Sequence, residues 1–334
     1  QRRGVRLNAA KAFLHPVAQR SNLTVVTEAQ VGRLRLQDRR AVGVEFVRGG
    51  ETHFAEARIE TVLAAGSIGS TQILQLSGIG PAPLLQRHGI AVAHELPGVG
   101  ENLQDHLQLR MAFKVKNVVT LNQRVNSLFG KAAMGLEYLL FRSGPLTMAP
   151  SQLGGFTRSS PEHASANVEI HTQPLSLDKF GDPLHPFNAF TSSICNLRPT
   201  SRGHVRIKSP DPRDAPAINC RYLSTDEDRK VAVDSLRLTR RIAAQPALAR
   251  FEPDEFLPGK EYASDEEIVK AAGNIGTTIF HPVSTCRMGP DGDRGAVVDR
   301  VQLAVRVVED VSGVVPEAEI GFADAFDGFA ALRS

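Results

Sequence analysis

Tryptophan is absent from this 334-residue sequence, and cysteine and tyrosine occur only three times each. The three cysteines, Cys195, Cys220 and Cys286, are widely spaced and cannot all pair within one chain. None belongs to a CxxC pair, which argues against a zinc ribbon or a thioredoxin-like redox site. A reducing compartment is the simpler expectation. No apolar run approaches the ~18–20 residues of a membrane span. The opening QRRGVRLNAAKAF lacks the long apolar stretch and cleavage site of a secretory signal. Neither a signal peptide nor a transmembrane anchor is expected; the location read is cytoplasmic, with peripheral attachment to the inner membrane left open. No block of five or more Lys/Arg occurs, and 39 basic residues against 36 acidic ones leave only +3. Nothing there points to a nucleic-acid partner. There is no GxSxG for a hydrolase elbow. The HELPG stretch at 94–98 puts proline where an HExxH metalloprotease needs helix.

What is present is enough apolar residue, 42% against 22% charged, for one large core or two smaller ones. Residues 22–66 carry short Val- and Leu-rich runs broken by charged or Gly-Gly turns, which predicts three or four strands. The last of these runs, residues 59–65, meets Gly66. GSTQILQLSG then predicts a helix with Ser70 as N-cap and Gly78 as its stop. After a Gly/Pro-rich stretch with one short helix near 83–88, residues 127–142 place Leu136, Leu139 and Leu140 at helical spacing. Residues 151–223 alternate strand-like runs with Pro/Gly/Asp turns, predicting an antiparallel sheet. Two helices follow. One opens on an acidic turn within 225–245, and the other starts at Ser264 with Glu267 at the capping-box position.

Motifs that carry chemistry are few. GIGPAPL at 78–84 and GVGENLQ at 98–104 begin GxG but lack the third glycine and the strand-to-helix setting of a dinucleotide fingerprint. VLAAGSIGSTQIL places a glycine turn before a helix N-terminus, where backbone amides can hold a phosphate. A glycine required only by a tight turn explains the same residues. His88, His94 and His106 fit no metal-ligand pair, so no metal is expected. His281, in FHPVSTCRMGP, is either a structural histidine or a base. Ile279, Phe280 and Pro282 around it suit a ring held neutral in a partly dry site.

AAGSIGSTQILQLSGIG (64–80), LPGVGENLQDH (96–106), HPVSTCRMGP with the following AVVD, and RPTSRGHVRI (198–207) together resemble the glucose-methanol-choline (GMC) flavoprotein oxidoreductases. The likeness runs from about residue 4 to about 307, and among subgroups it resembles the bacterial choline dehydrogenase and alcohol dehydrogenase-like members. It implies an α/β (α+β) fold: a partial FAD-binding Rossmann-like domain with a substrate domain built on an antiparallel sheet and flanking helices. The divisions it implies are 1–111 and 276–308 for the FAD side, 112–275 for the substrate side, and 309–334 as a divergent tail. The implied cofactor is FAD and the implied substrate a small alcohol, oxidised by hydride transfer to flavin N5. His281 matches the family's base. Val31 matches the adenine contact, Ala65, Gly66 and Ser67 the ADP side, and Asn102 the flavin region, where His106 is as well read as structural as functional. Neither the particular alcohol nor the electron acceptor can be read from these residues.

Two departures accompany the matches. The family's N-terminal βαβ unit with GxGxxG lies upstream of the residues matched here, and no substitute motif occurs. After residue 308, VSGVVPEAEIGFADAFDGFAALRS matches nothing in the family; Asp310 and Asp324 are poor candidates for the partner of the catalytic histidine. A frameshift or an unrelated tail is expected, together with weak or absent FAD binding by this chain alone. A catalytically inactive form of such an enzyme and a flavin-free binding module are the alternative readings.

Overall fold

The computed structural model describes residues 2–149, 151–178, 181–290 and 292–299. It consists of two compact units. One is formed by residues 1–25, 106–200 and 223–280, the other by 26–105, 201–222 and the segment from 281.

The first unit is built on a six-stranded antiparallel sheet. Leu107–Lys114 lies between Ala189–Asn196 on one side and, on the other, Asp254–Leu257 and Gly276–Thr278. Val168–Gln173 and then Leu153–Thr157 extend the sheet beyond Ala189–Asn196. Alternate residues point to opposite faces of a strand. One face of this sheet is apolar, with Leu109, Met111, Phe113, Val168 and Ile194 in a common core. Helices Asp226–Ala243 and Asp265–Ile275 cover it, as their spacing requires: Val231, Ser235, Thr239 and Ala243 form one buried row, with Ala232 and Leu236 beside it. The Thr239 hydroxyl in that row costs little, because its Oγ1 donates to the Ser235 carbonyl at 3.0 Å. Full burial of a side chain such as Leu236 or Ile268 stabilises by about 1.5–3 kcal/mol.

Both helices start where the sequence predicts. Thr225 Oγ accepts from Asp228 N ahead of an acidic first turn, and Ser264 with Glu267 forms a complete capping box. Such a cap contributes about 0.5–2 kcal/mol. Helix Leu128–Phe141 also forms, capped by Ser127, but only Met134 on it is buried. The expected apolar stripe is exposed instead: Leu136, Leu139 and Leu140 lie open, and Phe129 is 89% exposed.

The second unit has less sheet and a smaller core. Gln30–Gln37, Arg40–Arg48 and Glu51–Glu56 make an antiparallel meander. The fourth run, residues 59–65, is not a strand: it has no partner ladder, and Ile59 and Val62 are exposed. Apolar content favours an extended chain there, but a strand needs a neighbour to take its hydrogen bonds. Helix Gly66–Leu76 begins four residues before the predicted cap. Ser70 lies buried inside it, its Oγ accepting from Ala65 N at 3.1 Å. Gly78, at φ +80°, does end it. Ala82–Arg87 follows, and Leu76, Leu84 and Ile207 share a small core with Ile90. His204–Arg206 pairs with Ala217–Asn219 in a hairpin separate from the large sheet.

Candidate functional site

Three separate stretches converge in the second unit: the glycine turn at 65–67, the segment 98–105, and the segment from His281. Ser67 is the junction. Its carbonyl accepts from Thr285 Oγ1 at 2.7 Å and from Thr71 Oγ1 at 2.9 Å, and its own hydroxyl donates to Pro282 O at 2.5 Å. Gln104 and Val283 exchange backbone bonds of 3.1 and 2.9 Å, and Gly100 N donates to Thr285 O at 2.8 Å. Gly100 lies at φ +86°, and a Cβ there would collide with Val205 O, whose residue donates to Gly100 O at 2.7 Å. The second glycine of GVGENLQ therefore permits a close backbone crossing.

His281 is held through its backbone. Asp105, only 5% exposed, accepts the His281 N–H on Oδ1 at 3.0 Å, and Tyr222 Oη donates to Oδ2 of the same carboxylate. A buried carboxylate taking two donors is a rigid anchor, since charge-assisted bonds are shorter and stronger than neutral ones. The residue is exposed overall, contrary to the partly dry setting expected from its apolar neighbours, and Phe280 is exposed as well. Apolar residues next to a histidine in sequence do not bury it when the backbone turns them outward.

The site's thiols are not nucleophiles. Burial pushes the Cys286 thiol up, only partly offset by hydrogen bonds with Thr71 and Thr285. Burial also raises the Cys220 thiol, with the nearby Asp105 charge adding to it and a Tyr222 hydrogen bond opposing it. Neither is a thiolate near neutral pH.

Two models of one family match this chain, both described as GMC oxidoreductase: an N-terminal one over residues 1–108 and a C-terminal one over residues 199–314. This chain belongs to the GMC oxidoreductase family. It is 40% identical over 299 residues to the oxygen-dependent choline dehydrogenase of Serratia proteamaculans, an overlap of 89% of this chain and 53% of that relative. To the alcohol dehydrogenase [acceptor] of Pseudomonas putida it is 37% identical over 294 residues, 87% of this chain and 53% of the relative. Among solved structures, pyridoxine 4-oxidase from Mesorbium loti superposes with a TM-score of 0.76 at 28% identity, covering 90% of this chain and 54% of that one. An FAD-dependent oxidoreductase from Chaetomium thermophilum gives 0.78 at 25% identity, covering 89% and 58%. The chain thus spans about half the length of the relatives it matches.

The residues present fit one part of the flavin cofactor this family implies. Helix Gly66–Leu76 has no side-chain cap at its N-terminus, so its first amides are not taken up by a capping oxygen. Gly66, at φ +76°, has open space where a Cβ would project. An uncapped helix start behind a glycine turn suits a phosphate group. Val31 lies on strand Gln30–Gln37, which packs on this helix, with Leu34 N donating to Ser77 Oγ at 2.8 Å. Asn102 sits partly buried at φ +61° in the middle of the 98–105 segment. His106, also partly buried, directly precedes strand Leu107–Lys114 of the other unit. Motifs alone do not single out Asp105, Thr285 or Tyr222. Asp105 adjoins His106 in a quoted motif, whereas Tyr222 lies 117 residues away with no local signal. Asp310 and Asp324 lie outside the described residues.

Proposed function

We propose that this chain supplies the catalytic-histidine part of an FAD-dependent enzyme oxidising an alcohol to a carbonyl compound. The observation that supports it is the anchoring of His281 by buried Asp105, beside a glycine turn and helix start suited to the cofactor's phosphates. In this reading residues 1–111 and 276–308 belong to the FAD side and residues 112–275 to the substrate side. Ala65, Gly66 and Ser67 hold the ADP portion, Val31 meets the adenine and Asn102 lines the flavin region. Bound there, FAD would supply the hydride acceptor. The chain's own task is the proton. An alcohol hydroxyl hardly ionises at neutral pH, so loss of hydride from its carbon needs a base at the oxygen. His281 takes that proton, and Asp105 and Tyr222 act as positioning residues that fix its backbone. The names of the relatives support choline or another primary alcohol as the substrate class.

A second reading, an inactive form, draws on the exposure of His281 and on the run 59–65, which does not form the expected strand. Anaerobic spectra of the chain with excess FAD and added alcohols separate the two. Bleaching of the flavin that slows about 10²–10⁴-fold in His281→Ala supports the base. Equal bleaching by both proteins overturns that role, and no bleaching by either favours the inactive reading.

A further inference from the structure

The six-stranded sheet has a second face, and it is polar. Glu169 and His171 lie two residues apart on one strand and so point the same way. Cys195 is the cross-strand partner of Glu169, and Ser193 that of His171. The ligand atoms of Glu169, His171 and Cys195 all lie within 4.8 Å of one another. His171 Nε2 is 3.1 Å from Glu169 Oε1, yet it makes no hydrogen bond. Ser193, 0% exposed, leaves its Oγ equally without a hydrogen-bond partner on the same face. A buried polar atom left without a hydrogen bond is costly. Ser193 Oγ is one, on the same face as a carboxylate and thiol and beside an imidazole whose contact with that carboxylate lacks hydrogen-bond geometry, and this marks a place that something else completes.

We infer that Glu169, His171 and Cys195 form a three-ligand site for a zinc-class divalent cation. The ligand set decides the class: one oxygen, one imidazole nitrogen and one sulfur match the mixed preference of zinc, whereas calcium and magnesium take oxygen alone. A tetrahedral ion with bonds of about 2.0–2.3 Å holds its ligand atoms roughly 3.3–3.8 Å apart. The Glu–His spacing is already near that, and side-chain rotation brings the sulfur in. The thiol now donates to Glu169 O at 3.8 Å. On binding, its S–H bond breaks, a sulfur–metal bond forms and the proton passes to solvent. Burial, with the Glu169 charge adding to it, pushes the Cys195 thiol up to about 12. With three protein ligands the fourth position stays open, as in catalytic rather than structural zinc sites. The spacing of 24 to 26 residues between the strands' ligands hides this group from any sequence motif.

The test is cobalt(II) chloride titrated into the chelator-treated, reduced chain without flavin, so that it stands or falls apart from the proposed oxidation. Expected are tetrahedral d–d bands and a thiolate-to-cobalt charge-transfer band saturating at one equivalent. Cys195→Ser should abolish the charge-transfer band, while Cys220→Ser and Cys286→Ser retain it. Because Cys195 is buried, His171→Gln, at a partly exposed position, serves as the second variant; its cobalt affinity should fall at least about 100-fold. No charge-transfer band in the parent chain, or a band that survives in Cys195→Ser, overturns the site.

Discussion

The large sheet and the meander are both antiparallel, yet they solve burial differently. Strand Leu107–Lys114 is flanked on both sides, and six consecutive residues, 108–113, are buried. Strand Glu51–Glu56 is an edge, and every residue on it is exposed. The first unit closes its own core with two capped helices. Among the described residues, the second groups Leu76, Leu84 and Ile207 in one smaller cluster and leaves run 59–65 without a ladder. The difference teaches that strand-forming residues are necessary but insufficient; the neighbours determine how much of the pattern is realised. It also separates two tasks: the unit with the stronger core carries the polar sheet face, and the unit with the weaker core carries the histidine segment, held mainly by hydrogen bonds.

The largest test of this contrast is Leu236→Ala, which removes a fully buried side chain from the first unit's core. It should cost about 2–5 kcal/mol. By hydrogen exchange, protection should fall in 107–114, 168–173 and 189–196. An unchanged exchange pattern there would mean that the sheet does not depend on its helices.

A smaller effect is expected at Glu45, which accepts from Arg33 and Arg35 at 2.5 Å each and holds the meander's first two strands together. These guanidinium hydrogen bonds, chiefly that of Arg33, keep its carboxyl below the usual carboxylate range, against the opposing pull of burial. A folded-state pKa below the unfolded one adds stability that is fully present above the unfolded value and is lost as pH falls through the folded one. With both arginines half exposed, the pair is worth no more than about 1 kcal/mol. Glu45→Gln should therefore flatten the acid limb of exchange in 30–48 and leave neutral-pH protection nearly unchanged; an equally steep acid limb in the variant would discount the pair.

The smallest change in stability is expected at the exposed stripe of helix Leu128–Phe141. Replacing Leu136, Leu139 and Leu140 with glutamine should shift the melting temperature little, because these side chains bury little. It should reduce self-association, read by light scattering, since large exposed apolar patches promote aggregation. A large loss of melting temperature would show that the stripe is packed in solution.

Much of this was legible in the residues. Capping at Ser264 and Glu267, the acidic helix start at 226–228 and the alternation of strand and turn in 151–196 are local signals, set by backbone hydrogen bonding within a few residues. Ser70 misled because Ser is a good cap by type, whereas the helix begins at the glycine turn that Ala65 and Gly66 form. The site was half legible: motifs led to Ser67, Asn102 and His281, but Tyr222 reaches Asp105 only through the fold.

The sequence by itself determined family membership, the order of the elements and the histidine segment, because each rests on contiguous residues whose chemistry is local. The tertiary structure alone decided that Asp105 anchors His281, that run 59–65 does not become a strand, and that Glu169, His171 and Cys195 share one face. Each of these depends on register and on which neighbour a strand or carboxylate meets, and side-chain type does not encode that distance along the chain.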